Sequence, residues 1–329
     1  MDALMDLFAA GQSALFESLV QPLAFSLGLG HWLEIAFEGT GWLLVGLLQL
    51  AVMLLIILPL ELWRPAEPMR DPGAVRSDVA YTLFHRLGVF RLLLFFTLDP
   101  LADGLFGSLR AAGWSGIHLD DLWPGWSDQP AVAFVLYLVL FDALNYAIHR
   151  GQHHWSWWWA LHALHHSQWQ MTMWTDQRNH LLDDVLVALI WAVVAQAVGM
   201  PPEQFVAVVA VTQLLENLQH ANVRMSFGAW GERCLISPRF HRWHHSVGWG
   251  HESHARGTGV NDRLPLGGHN FGVLFPWWDD LLGTALRRND DPTTGIRDQI
   301  EQGRDYGRGV WAQQYLGLQR MWQALRQRP

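Results

Sequence analysis

Hydrophobic patterning divides the chain into apolar blocks joined by polar segments. Gly41 to Leu60 holds no charged residue over 20 positions, enough helix to cross the hydrocarbon core of a bilayer. It ends in Trp63-Arg64-Pro65, an aromatic anchor followed by a helix breaker. Apolar stretches near 79–98, 131–148, 181–199 and 205–219 predict four more spans, the last two turning at Gly199-Met200-Pro201-Pro202. Residues 8–29 include Gln12, Glu17 and Gln21, so they read as a first crossing or as an amphipathic helix in the interface. The 79–98 stretch carries His85, Arg86 and Arg91; charges at that depth are costly, so it should face protein or a wet cavity.

Arginine-bearing segments 64–78, 150–180 and 221–329 fall on one side of these spans, the expected cytoplasmic side, and the Arg-poor loops 99–129 and 199–204 on the other. The predicted fold class is an all-α integral membrane protein, with about four to six membrane helices and a cytosolic histidine-rich helical cap. Residues 1–134 read as N-terminal membrane helices and linkers, 135–286 as the histidine-bearing domain, and 287–329 as a polar cytoplasmic C-terminal tail. Composition agrees: half the residues are hydrophobic, 16% are charged, and 20 Trp supply interfacial anchors. A net charge of −8 argues against nucleic acid as a partner. The single cysteine, Cys234, excludes an internal disulfide and a thiolate metal cage. The first residues, Met1 to Asp6, lack the basic start of a signal peptide.

Candidate chemistry lies in the histidines. His149-Arg150-Gly151-Gln152-His153-His154 is followed by His162-Ala163-Leu164-His165-His166 and later by His241-Arg242-Trp243-His244-His245, with His180 and His220 between. On a helix, positions i, i+3 and i+4 share a face, so H-x-x-H-H aims three imidazoles in nearly one direction. Neutral imidazole suits Fe, Zn, Cu and Ni. Three such faces would offer about eight nitrogens, too many for one ion, so two ions sharing the ligands is the natural reading. A bis-imidazole haem carrier needs fewer histidines and no such triples. A zinc membrane hydrolase needs a smaller His/carboxylate site. His85 is a further candidate near the site.

At these residues the sequence resembles the membrane fatty acid hydroxylase and sterol desaturase superfamily, over about residues 135–286. The resemblance rests on Asp142 and Tyr146 before His149-x-x-x-His153, His162-x-x-His165-His166-Ser167, His220-x-Asn222, and Pro238-x-x-His241-x-x-His244-His245. Asn270-Phe271-Gly272 and Trp278-Asp279-Asp280-Leu281-Leu282-Gly283-Thr284 match its closing segment. It implies a non-haem centre of two Fe ions with O2 as co-substrate, acting on a membrane lipid by hydroxylation, desaturation or ether-lipid oxidation. Ligand roles carry over to His149, His153, His162, His165, His166, His241, His244 and His245, with His180 and His220 at positions used as ligands in some branches. The resemblance places Asp142, Asn222 and Asn270 in the catalytic machinery, and Asp142, two turns before His149, could orient an imidazole. No cytochrome b5 module is recognisable, so a separate donor of ferredoxin or cytochrome type is expected. The bacterial inner membrane, with the site facing the cytoplasm, is the expected location.

Around these motifs, Asp183, Asp184 and Glu216 could orient ligands or bind metal. Arg150 and Arg178 could hold a lipid head group. Trp157-Trp158-Trp159 reads as an interfacial anchor. His154 competes with His153 as the ligand. The Gly- and Arg-rich connector 247–268 is longer than the family's usual one; with it come His251, His254 and His269, read as surface histidines or a cap over the substrate entrance.

Overall fold

The computed structural model describes residues 2–114, 116–247 and 268–326. The helices that matter here are α1 (Asp2–Leu15), α2 (Gly30–Trp63), α3 (Arg76–Arg86), α4 (Val89–Thr97), α5 (Asp99–Ala111), α6 (Pro130–His154) and α7 (Ser156–His166). They continue with α8 (Leu181–Ala197), α9 (Pro202–His220), α10 (Pro238–His244), α11 (Trp277–Leu282), α12 (Arg297–Gln302) and α13 (Val310–Arg326). No strand forms among the described residues; Ser246 and Thr294 make an isolated antiparallel bridge.

Helices α2 and α6 are long and apolar enough to cross a membrane, and α3 with α4 makes a third if that bent pair is one span. In α2 the polarity is inverted relative to a water-soluble helix. Thr40, Gln49 and Glu61 are buried, whereas Leu48, Leu55, Ile56 and Leu62 are exposed, Leu55 at 76%. Lipid tails satisfy such an apolar outer face, and protein partners satisfy the buried polar groups. Gln49 Nε2 donates to the Ala210 carbonyl of α9 at 3.0 Å. Glu61 accepts from the backbone N–H groups of Met173 (2.8 Å) and Asn222 (2.6 Å). Gly46 lets α3 approach, since a Cβ there would sit 1.7 Å from the Arg86 carbonyl oxygen.

The 79–98 stretch is not one straight helix. Gly88, at φ 78°, takes the left-handed conformation and turns the chain by 54° between α3 and α4. Arg86 there is buried and paired: it donates to Asn217 Oδ1 at 2.8 Å and to Gln213, and lies 3.6 Å from Asp176. Residues Asp99–Ala111, expected as loop, are helical, with Pro100 in the first turn, where its missing N–H costs nothing. The other two expected spans, α8 and α9, both lean on α6; α8 has 17 residues, and α9 carries Glu203, Gln213, Glu216, Asn217 and Gln219. Ala195 of α8 and Val208 of α9 pack with Ala133, Tyr137 and Phe141 of α6.

The residues beyond 287 do more than trail. Helix α13 lies along α7, with Arg320 Nε donating to the Ala160 carbonyl at 3.3 Å. Its Gly317 sits where a Cβ would be 2.3 Å from the His180 ring. A helix that carries three of the histidines is thereby held from its outer side.

Candidate metal centre

Nine of the ten histidines expected as ligands gather in two buried groups. His149, His153, His162, His166 and His244 form one, and His165, His220, His241 and His245 the other; within each group the donor atoms lie within 4.8 Å of one another. No carboxylate belongs to either group. The groups share a wall, where the rings of His166 and His245 stack at 4.3 Å.

Helix geometry explains the division. Each residue advances about 100° around an α-helix, so i and i+4 differ by about 40° and adjacent residues by about 100°. His149 and His153 on α6, and His162 and His166 on α7, are i, i+4 pairs, and each pair feeds the first group. His165, beside His166, points into the second. Helix α10 repeats the pattern in reverse, with His241 and His245 in the second group and His244 in the first. The H-x-x-H-H triples therefore straddle two centres and do not converge on one, correcting the single-direction expectation. His220 enters the second group as the last residue of α9.

Three of the rings, those of His149, His220 and His244, are held from behind through Nδ1. His149 Nδ1 pairs with the Phe271 carbonyl (2.9 Å), His244 Nδ1 with that of His269 (2.7 Å) and His220 Nδ1 with that of Glu216 (2.8 Å). A carbonyl only accepts, so these three imidazoles carry their proton on Nδ1 when neutral and present a bare Nε2 lone pair inward. His162 Nδ1 lies 3.4 Å from Asp183, whose carboxylate also accepts from Gln152 at 2.9 Å and Trp158 at 2.6 Å. Such outer partners fix ligand tautomer and orientation. Burial, then the neighbouring imidazoles, holds His165, His166, His241 and His245 well below the ordinary value of 6.5, so they are neutral near pH 7.

The donor set fits metal ions. The Nε2 atoms of His165 and His220 are 3.0 Å apart, those of His241 and His220 2.9 Å, those of His245 and His241 3.1 Å, and those of His153 and His166 3.1 Å. Imidazole binds such ions at about 2.1 Å, so ligands at right angles stand about 3 Å apart and opposite ones about 4.2 Å. The buried His162 Nε2 has no hydrogen-bond partner. Inward lone pairs at these separations repel unless a cation lies among them.

Several expected residues serve elsewhere. His180 belongs to neither group: it caps α8, accepting from Leu182 N–H at 3.1 Å, and its Nε2 meets the Gln314 carbonyl of α13 at 2.9 Å. His85 pairs with Asp184 at 3.2 Å, away from both groups. His153 is the buried member of its pair, and His154 is exposed. Asp142 touches no imidazole; it accepts from Leu274 N–H (2.7 Å), Phe275 N–H (3.2 Å) and Trp278 (2.8 Å), fastening the closing segment to α6. That segment carries the Phe271 carbonyl behind His149, so Asp142 acts on the site at one remove. Asn222 exchanges two hydrogen bonds with the Glu67 backbone. Asn270, at φ 61°, joins the Phe240 and Leu286 backbones. Neither contacts the imidazoles. Arg178 is buried on Asp78 at 2.7 Å and is a packing residue. Trp158 is the donor to Asp183, more than an anchor. His251 and His254 lie outside the described residues.

Sequence reading missed Asp176, whose carboxylate lies 3.6 Å from His220 Nδ1 and accepts from Asn217 at 3.0 Å. It sits in a three-residue turn, Thr175–Gln177, outside the histidine clusters, so no motif marks it.

Residues 134–284 match the profile of the fatty acid hydroxylase family. This segment is a fatty acid hydroxylase domain. Relatives include an ornithine lipid hydroxylase from Rhizobium tropici, 29% identical over 70% of this chain and 64% of that protein. An alkylglycerol monooxygenase from Caenorhabditis elegans is 25% identical over 53% of this chain and 32% of its own length. A delta(7)-sterol 5(6)-desaturase from Gibberella zeae is 31% identical over 37% of each. The chain thus spans less than two thirds of the length of each of these relatives. No solved structure matches it. The hydroxylase domain contains every histidine of both groups.

Proposed function

We propose that this chain is an O2-dependent, non-haem di-iron oxidoreductase that hydroxylates a membrane lipid, on an acyl chain or in the head group. The observation that carries the reading is the pair of adjacent, buried, all-imidazole groups where α6 ends. Two iron ions held there would supply O2 activation for attack on an unactivated C–H bond. The protein's part is to bury the imidazoles together, aim Nε2 inward, and back the rings of His149, His244, His220 and His162 with the Phe271, His269 and Glu216 carbonyls and with Asp183. Phe271, 5.2 Å from His153 and 5.7 Å from His244, seals one side against water.

Ring centroids 4.3–5.2 Å apart within the first group leave no slot for a porphyrin between them, which weighs against a haem carrier. The surplus of histidines and the lack of a carboxylate ligand weigh against a zinc hydrolase. The relatives named hydroxylase and monooxygenase support oxygen insertion, and the ornithine lipid hydroxylase supports a bacterial lipid substrate. Desaturation is the second reading, favoured by the sterol desaturase relative. The arginine bias supports a centre on the cytoplasmic face, in a bacterial inner membrane on this reading, with electrons supplied by a separate ferredoxin- or cytochrome-type protein.

Iron analysis with an absorption spectrum on purified protein, then mass spectrometry of lipid extracts from cells with and without the gene, tests this. Bound iron, no Soret band and a lipid heavier by one oxygen atom are expected. A lipid lighter by two hydrogens would instead select desaturation. Zinc in place of iron, with lipids unchanged, would overturn both.

A further inference from the structure

Where α2 leaves the bilayer, a cleft of about 260 Å³ opens between Leu60, Trp63 and Arg64 on one wall and Arg224 and Met225 on the other, with Arg239 of α10 also lining it. It is smaller than the ~300–1,000 Å³ typical of whole-ligand pockets, so its scale is that of a head group. Three arginines line it and no acidic residue does. Backbone hydrogen bonds fix their carriers: Arg224 N–H donates to the Arg64 carbonyl at 2.8 Å, and Arg239 N–H to that of Met225 at 3.1 Å.

The local charge is unbalanced. Asp291 takes the Nε atoms of Arg224 and Arg239, each at 3.4 Å, and Arg64 has no carboxylate partner among the described residues. The terminal nitrogens of Arg239 have no protein acceptor among the described residues. Among the described residues the Arg64 guanidinium lies over the Trp63 ring, 5.8 Å from its centroid. Planar guanidinium forks suit the two-oxygen edge of a phosphate or carboxylate. Flanking arginines that served only to orient the spans would have no reason to converge on one hollow. Trp63 marks the depth at which lipid head groups lie. Both sides of the cleft lead to the second histidine group: Val223 follows His220 by three residues, and Arg239 precedes His241 by two.

We propose that this cleft binds the oxyanion, phosphate or carboxylate, of an anionic lipid head group. It rests on the hydroxylase reading only in taking that lipid to be the substrate. A head group fixed beside α10 would limit which lipid carbons reach the histidine groups.

The test uses full-length protein in mild detergent, titrated with short-chain phosphatidate, short-chain phosphatidylcholine or inorganic phosphate and read by native mass spectrometry. Phosphatidate is expected to bind about tenfold tighter than phosphatidylcholine, the scale of one charge-assisted hydrogen bond. Arg239→Gln, and separately the double variant Arg64→Gln/Arg224→Gln, should abolish that preference while metal content stays at the wild-type level. No preference in the wild type, a preference surviving in both variants, or inorganic phosphate binding as tightly as phosphatidate would overturn the proposal. Because the readout is binding, a protein without iron would sink the hydroxylase reading and leave this site standing.

Discussion

A histidine makes a good ligand when one ring nitrogen is free to face an ion and the other is held from behind. His220 meets that condition, with Glu216 O behind Nδ1 and the Nε2 atoms of His165 and His241 in front. His180 does not, since both its nitrogens are spent on α8 and α13. His220→Ala should therefore strip metal from the protein, whereas His180→Ala should keep the metal and lower the thermal midpoint, as metal analysis and unfolding would show. Asp183→Asn removes the carboxylate charge behind His162 and should weaken metal affinity about 10–100-fold in a competition titration with a chelator. Acid should act through the same rings. The folded-state values of His165, His166, His241 and His245 lie well below 6.5, so the unfolded chain takes up protons first as the pH falls. Stability of the metal-free protein should be full above about pH 6.5 and fall progressively below it, as thermal unfolding from about pH 8 to about pH 5 would show.

Between elements, contact depends on small residues and buried polar groups more than on apolar area. Gly46→Ala would drive a methyl into the Arg86 carbonyl and should cost about 3 kcal/mol, read as a lowered melting midpoint. Gly317→Leu should lift α13 off His180, exposing α7 to proteolysis while α2 stays protected. The sequence displayed the spans α2 and α6 and the three histidine clusters, because an uncharged run and an i, i+4 spacing are local properties. It left the role of α13 hidden, since a half-polar helix with Gln313, Gly317 and Arg320 on one face reads equally well as a solvated tail. Asp183 was legible only as one of three candidate acids with Asp184 and Glu216, whereas Asp176 and the carbonyls behind the rings were invisible. They come from loops and helices far apart in the chain, and backbone carbonyls carry no residue code. The different fates of His180 and His220 also turn on partners more than a hundred residues away in the first case and dozens in the second.

Across the whole molecule, α2 and α6 set the depth of the centre, and α7, α9 and α10 close around it. Chelation should lower the melting midpoint by several degrees, because a ligand that binds only the folded state stabilises it and its loss removes that contribution. The shared wall has a further consequence. His165-His166 and His244-His245 each send one ring to either centre from a single piece of backbone. An ion captured on one side therefore orders the peptide that presents donors to the other, so its neighbour arrives at a prepared berth. Metal titrations should show molecules with none or two, with the singly filled species scarce, and cells short of iron would hold fewer working copies, each fully equipped.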